Sequence, residues 1–237
     1  MKVYKKAIEN LLAKDRIGRC DFHSHSFLSD GVLLPIEQLR RAFVKGHEGY
    51  AITDHVSASN LDIIPKLDRD CKLATKHWGF LALPGVELTH VPVGAIEEIT
   101  EQAVEMGALV IVIHGETISE PVEPGTNLIA SKCKLVDILA HPGLVTKEVA
   151  ENCKKNDVFL EITSNKAHSI TNGHVVDVGR KAKANFIQNT DTHRPSDMLN
   201  YDEGKRILLG SGLTIKEAEE VFQKNTRDFL TKIYSKI

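Results

Sequence analysis

The sequence predicts an α/β fold in which seven βα repeats wrap into a closed or nearly closed barrel. Short β-type runs alternate with segments of helical period from Arg19 to the end, and that alternation implies a parallel sheet covered by helices. The chain has 237 residues, 42% of them hydrophobic and 26% charged, enough apolar material for a sizeable core. An α/β barrel fills about 200 to 250 residues as a single domain. No sequence repeat, low-complexity tract or Pro/Gly/Ser-rich linker divides the chain, so one compact unit is expected. Periodicity alone also allows an open doubly wound sheet.

The opening MKVYKKAIENLLAKD alternates apolar and charged positions and lacks the apolar run and cleavage site of a secretory signal. A helical extension over residues 1–18 is expected there. Strands are expected at 19–23, 49–53, 80–87, 108–113, 136–140, 158–162 and 185–189. Between them, Ile36, Leu39 and Phe43 share a helical face behind Pro35 at a first-turn position, and helical spacing recurs at 61–76, 96–106, 146–155 and 175–183. The C-terminal helices, 204–237, include a segment at 214–234 that opens with a Thr214/Glu217 capping box and carries Ile215, Ala218, Val221 and Phe222 on one face.

Thirty basic against 32 acidic residues leave a net charge of −2, so no global field gathers nucleic acid or an anionic membrane. The four cysteines, Cys20, Cys71, Cys133 and Cys153, form no CxxC pair and read as buried thiols in a reducing compartment. The longest strongly apolar stretch, 108–113, is far short of the roughly 18 residues of a membrane span. A soluble, cytoplasmic protein without a membrane partner is expected.

Six of the seven expected strands end in a His, Glu or Asp: His23 and His25, His55, Glu87, His114, His141, and Asp191 with His193. In a parallel barrel all of these lie on the C-terminal rim, where side chains distant in sequence converge. Taken singly each has an ordinary explanation, such as a turn former at Asp30-Gly31 or a helix N-cap region at Thr53-Asp54-His55. In Asp21-Phe22-His23-Ser24-His25 the i, i+2 spacing puts both imidazoles on one side of a strand, where they can grip one ion. Imidazole and carboxylate without thiolate suit Zn, Mn or Fe. Nine candidate ligands exceed what one ion takes, and with Glu87 able to bridge they fit two or three divalent ions. Such a cluster lowers the pKa of bound water from about 15.7 towards 7 and supplies hydroxide near neutral pH.

The ordered motifs DFHSHSFLSDG, AITDH, GVE, IHG, LAHPG and TDTHRPSD, spanning Asp21 to Asp197, resemble the PHP domain family, named for polymerases and histidinol phosphatases. The resemblance implies a distorted (β/α)7 barrel with up to three metals and a single PHP domain over 1–237. It assigns His23, His25, Glu87 and Asp191 to one ion, Glu87, His114 and His141 to a second, and Asp30, His55 and His193 to a third. Thr190 stands where the family usually has Ser. Arg194 matches a position where phosphatase members often hold an arginine, and its guanidinium suits a phosphate dianion. His168, after strand six, is a candidate to hydrogen-bond a leaving group. His47, His77 and His90 read as surface or structural residues, His174, in a helical start, as a weaker candidate than His168 to reach the pocket, and Glu116 as a solvated loop charge ahead of a ligand-orienting partner or general acid.

The expected activity is metal-dependent hydrolysis of a small phosphomonoester, histidinol-phosphatase-like, by attack of a metal-bound hydroxide in a di- or trinuclear site. A nuclease would use the same ions but needs a channel that tracks several phosphates, which the scattered cations and few aromatics do not favour. An amidohydrolase also begins with HxH, yet no Lys ends a middle strand to bridge two ions. A metal-stabilised binding module without catalysis is the non-enzyme alternative. Substrate, native metal and oligomeric state do not follow from these residues.

Overall fold

In the computed structural model, which describes residues 1–237, seven parallel strands lie side by side in chain order. They are β1 (Arg19–Asp21), β2 (His47–Val56), β3 (Leu81–Leu88), β4 (Val110–His114), β5 (Ile138–Ala140), β6 (Phe159–Thr163) and β7 (Phe186–Asn189). This is the order that successive βα units of one hand produce. The first and last strands nearly meet. Just beyond them Ser24 bridges Thr192 in parallel, the Asp191 N–H donates to His23 O at 3.0 Å and the His25 N–H donates to Thr192 O at 2.8 Å. The result is a nearly closed α/β barrel, and the open doubly wound alternative is set aside.

Ten helices surround it: α1 (Lys2–Leu12), α2 (Pro35–Val44), α3 (Ile64–Trp78), α4 (Ile96–Glu105), α5 (Thr126–Lys132), α6 (Lys147–Lys155), α7 (Asn172–Ala182), α8 (Tyr201–Gly210), α9 (Ile215–Glu220) and α10 (Thr226–Ser235). Thr146 caps α6 through the Val149 N–H, and Thr214 and Glu217 cap α9 reciprocally. Asn200 and Glu203 form the same box at α8, a signal the hydrophobic pattern alone passes over. The tail is not one regular helix: a π-turn at Val221–Asn225 separates α9 from α10. Ile215, expected on the buried face, is exposed, because it lies one turn outside the core that Ala218, Val221 and Phe222 enter. No helix is long and apolar enough to cross a membrane. All four cysteines are free and buried.

Strand parity divides the core and aims the site. Val110, Val112, Ile138, Ala140, Phe159 and Ile187 pack with Phe22 and Phe229, whereas Ile111, Ile113, Leu139, Leu160 and Ile162 pack with Ile99, Val149 and Val175 of the helices. Alternate residues of a strand face opposite sides, so His114 shares the inward face with Val110 and Val112, and Glu161 shares it with Phe159. Helix α10 packs against the opposite end of the barrel from the rim. Its Phe229 stacks on Phe22 at 4.5 Å and meets Phe159 edge-on at 5.3 Å, while Lys236 and Lys232 reach the buried Asp137 carboxylate at 2.5 and 3.2 Å. Truncating Phe229 to Ala is expected to cost about 3–5 kcal/mol, read as a lower urea midpoint at unchanged slope.

Between β1 and β7 the buried Arg19–Asp21 pair, 3.0 Å apart, ties the two edges together. Arg19 Nη1 donates to Gln188 O, and Asp21 accepts from the Thr190 hydroxyl at 2.6 Å and from the Thr190 N–H. Thr190 therefore supplies the hydroxyl that a Ser would have supplied.

Candidate metal centre

At the C-terminal rim the strands open into a cavity of about 750 Å³ lined by polar residues apart from Val56 and Ala167. The inward-facing parity of β3 and β4 brings His114 to its wall and Glu87 to a buried position among the ligands, and the loops that follow β1, β5 and β7 bring His141, Asp191 and His193 to the wall and the fully buried His23 and His25 beside Glu87. His55 lies within β2 itself, in register with Glu87 across the sheet. Two candidate ligands hold left-handed backbone: φ is 27° at His141 and 53° at Asp191. Such conformations cost non-glycine residues about 1–3 kcal/mol and cluster at functional sites. Gly31 is needed for close approach, since a Cβ there would stand 2.1 Å from His25 O, and a Cβ at Gly143 would stand 1.9 Å from Glu116 O.

Glu87 sits at the centre of the cluster and is fully buried. Its Oε2 lies 2.9 Å from His55 Nδ1, 3.3 Å from His23 Nε2 and 3.5 Å from His25 Nε2, and its Oε1 lies 3.4 Å from His141 Nε2. Asp191 Oδ1 stands 2.9 Å from His25 Nε2 and 3.5 Å from His23 Nε2. Ligand atoms of His23, His25 and Asp191 lie within 4.8 Å of one another, as do those of His25, Asp30, His55 and His193, and those of His114, His141 and His168. All nine side chains singled out as ligands thus meet at one mouth of the barrel. Asp30 is the most exposed of them, 3.2 Å from His193 Nε2 and 3.5 Å from His55 Nε2.

The donor set fits divalent cations. Both Glu87 oxygens, Asp191 Oδ1, His25 Nδ1 and His141 Nδ1 are buried without a hydrogen-bond partner, an expensive arrangement for carboxylates unless positive charge compensates. His23 places Nδ1 2.7 Å from Glu161 Oε1, and His193 and His114 place Nδ1 2.9 and 3.1 Å from the Asp191 and Gly115 carbonyls. Each Nδ1–H is thereby committed, and each Nε2 lone pair is aimed into the cluster. Burial pushes Glu87 and Asp191 up, but the surrounding imidazoles overcome it and hold both well below the usual carboxylate range. Burial holds His25 down to about 3 and His168 down to about 4, whereas at His23, His55, His114 and His193 neighbouring carboxylates overcome burial and push the imidazole up, at His55 to about 10. A cation that displaces those protons would meet ionised carboxylates and imidazole lone pairs, the forms that ligate metals.

Several residues at the site stand outside the sequence expectation. Glu161 of β6 is fully buried and accepts from Asn189 Nδ2 at 2.9 Å and from the His141 N–H at 3.1 Å, besides its contact with His23. A lone Glu inside the apolar run FLEIT, on the inward parity, was its signal in the sequence. Asp54 accepts from the Ser26 N–H and the Ser26 and Ser29 hydroxyls and so shapes the loop after His25. His90, expected on the surface or in a structural role, lines the cavity, and Glu116, expected as a solvated charge, accepts from the Gly125 and Asn127 N–H groups. Arg194 is exposed and lies outside the main cavity. It lines an adjoining cleft of about 510 Å³ with Lys166, and Asn165, Asp191 and His193 border both spaces.

No protein-family model matches the chain. It is 45% identical over 217 residues to a protein of Methanocaldococcus jannaschii described as uncharacterized, covering 91% of this chain and 100% of that protein. It is 25% identical over 238 residues to the DNA polymerase/3'-5' exonuclease PolX of Bacillus subtilis, covering 86% of this chain and 41% of that protein. Among solved structures, a chain in archaeal ribonuclease P with mature tRNA superposes with a TM-score of 0.67 at 13% identity, covering 90% of both chains. An amidohydrolase superposes with a TM-score of 0.62 at 12% identity, covering 92% of this chain and 75% of the other. At these identities the structural likeness is one of fold.

Proposed function

The chain belongs to the same family as the uncharacterized Methanocaldococcus jannaschii protein, and for this chain we propose metal-dependent hydrolysis of a phosphoester, foremost a small phosphomonoester, as in PHP-type phosphatases. The observation that carries the proposal is the central, fully buried carboxylate of Glu87 facing imidazoles from the loop after β1, from β2 and from the loop after β5. Two or three divalent ions held by His23, His25, Glu87 and Asp191, by Glu87, His114 and His141, and by Asp30, His55 and His193 would supply an acidified water and positive charge against phosphoryl oxygens. Glu161 orients His23 for this role, and Asn165 Nδ2 donates to Asp191 Oδ2 at 2.8 Å, leaving Oδ1 free. No lysine lines the cavity, which leaves the carbamylated bridge of an amidohydrolase without a candidate.

Arg194 and Lys166 flank the adjoining cleft and are suited to hold the non-reacting part of an anionic substrate. In the double variant R194A/K166A, KM for a substrate with a second phosphate is expected to rise about tenfold with kcat little changed, the signature of lost uniform binding.

The overall test is phosphate release from an aryl phosphate by chain stripped with a chelator and reloaded with Mn or Zn. Turnover only in the loaded sample is expected; equal turnover in the stripped sample would overturn the proposal. A second reading, cleavage of a phosphodiester at a nucleic-acid end, is supported by the PolX similarity and by the open cleft beside the cluster. Nucleotide release from 5'-phosphorylated oligonucleotides, with monomeric phosphates inert, would favour it.

A further inference from the structure

We propose that Glu120 and His168 are themselves metal ligands, completing with Glu87, His114 and His141 a coordination shell of three imidazoles and two carboxylates beneath the loop after β4. This rests on the reading that the rim holds divalent ions, and it adds two ligands to that reading's second ion.

The three imidazoles come from separate segments. His114 ends β4, His141 follows β5, and His168 lies in the loop after β6, yet their ligand atoms stand within 4.8 Å of one another. The His141 and His168 rings stack with centroids 4.2 Å apart, and the His114 and His141 rings meet edge-on at 4.5 Å. Glu120 closes the open side, with Oε2 3.1 Å from His114 Nε2 and Oε1 3.6 Å from His168 Nε2. Two ligands of one five-coordinate ion, each about 2.1 Å from it, stand about 3.0 to 3.6 Å apart. The two Glu120 oxygens, one toward His114 and the other toward His168, meet those spacings.

Proton accounting leads to the same place. His114 gives its Nδ1–H to Gly115 O, so Nε2 is the atom it can offer to a cation, and Glu120 Oε2 stands beside that atom. The loop that carries Glu120 is also built to hold it there. Glu116 ties the loop to Gly125 and Asn127, Thr117 Oγ1 pairs with His168 Nδ1 at 2.9 Å, and Ser119 Oγ donates to Ala167 O beside His168. His90 Nε2, 3.4 Å from Glu120 Oε2, flanks the carboxylate from the loop after β3.

The test is a zinc titration of the chelator-stripped full chain, with bound metal counted by mass spectrometry. E120Q, E120A and H168A are each expected to bind one ion fewer per chain, or that ion at least tenfold more weakly. D30A should lose a different ion, and D30A/E120A should lose both. Cobalt substitution supplies an independent readout: the visible absorption of the E120Q protein should change intensity as the coordination of one ion changes. Circular dichroism matching the wild type excludes unfolding as the cause, and E120Q, being isosteric, preserves the loop. Wild-type ion number and affinity in both E120A and H168A would overturn this inference alone. A wild-type chain that binds no ion would overturn it together with the reading beneath it.

Discussion

Replacing Glu87 by Gln is expected to lower phosphoester turnover by roughly 10³-fold, with bound metal reduced and the fold retained. Gln preserves the volume at a fully buried position, so packing does not account for the loss. The change removes the negative charge that four imidazoles face within 2.9 to 3.5 Å and puts an NH2 group among ring nitrogens that would otherwise share a cation with the carboxylate. Because the same carboxylate addresses both the His23/His25 side and the His141 side, one substitution weakens two ion sites together. The measurement is kcat on an aryl phosphate across a metal titration, with metal content and circular dichroism on the same samples. Turnover within tenfold of the wild type at saturating metal would remove Glu87 from the centre of the mechanism.

Glu161→Gln should behave differently. Glu161 lines neither the main cavity nor the cleft beside it, and it acts by accepting a hydrogen bond from His23 Nδ1–H at 2.7 Å while its other oxygen accepts the His141 N–H. Each way of turning a Gln amide there sets its NH2 against an existing donor, His141 N–H on one side or His23 and Asn189 on the other. Loss of such an orienting partner weakens metal binding by about 10–100-fold. At saturating metal kcat should return towards the wild-type value, which a positioning role permits and a role in the reaction itself does not. Unchanged metal affinity in E161Q would show that the tautomer of His23 is set elsewhere.

The contrast between these two carboxylates shows how much of the site could be read from the chain. Glu87 ends an apolar run before Thr89, and like His114 and His141 it announces itself by where a strand stops. Strand alternation is local, so the residue that follows an inward-facing pair in step faces inward too, and Val110, Val112 and His114 illustrate the rule. Glu161 obeys the same parity but lies within its strand, where a search confined to strand ends passes over it. The seven strands and most helices were legible for the same reason: each is written in a window of a few residues. Helix α5 escaped because seven residues, TNLIASK, span too few turns to display a face.

What the sequence alone determined is therefore the barrel's alternating elements and the ring of imidazoles and carboxylates at their ends, because both follow from spacing along a strand. Tertiary structure alone decided that Glu120 reaches His168 across 48 positions, that His90 turns into the cavity, and that Arg194 faces a neighbouring cleft rather than the main one. Those outcomes depend on how loops from different strands pack over one another, and no short-range pattern records the distance between residues that meet only after the barrel has closed.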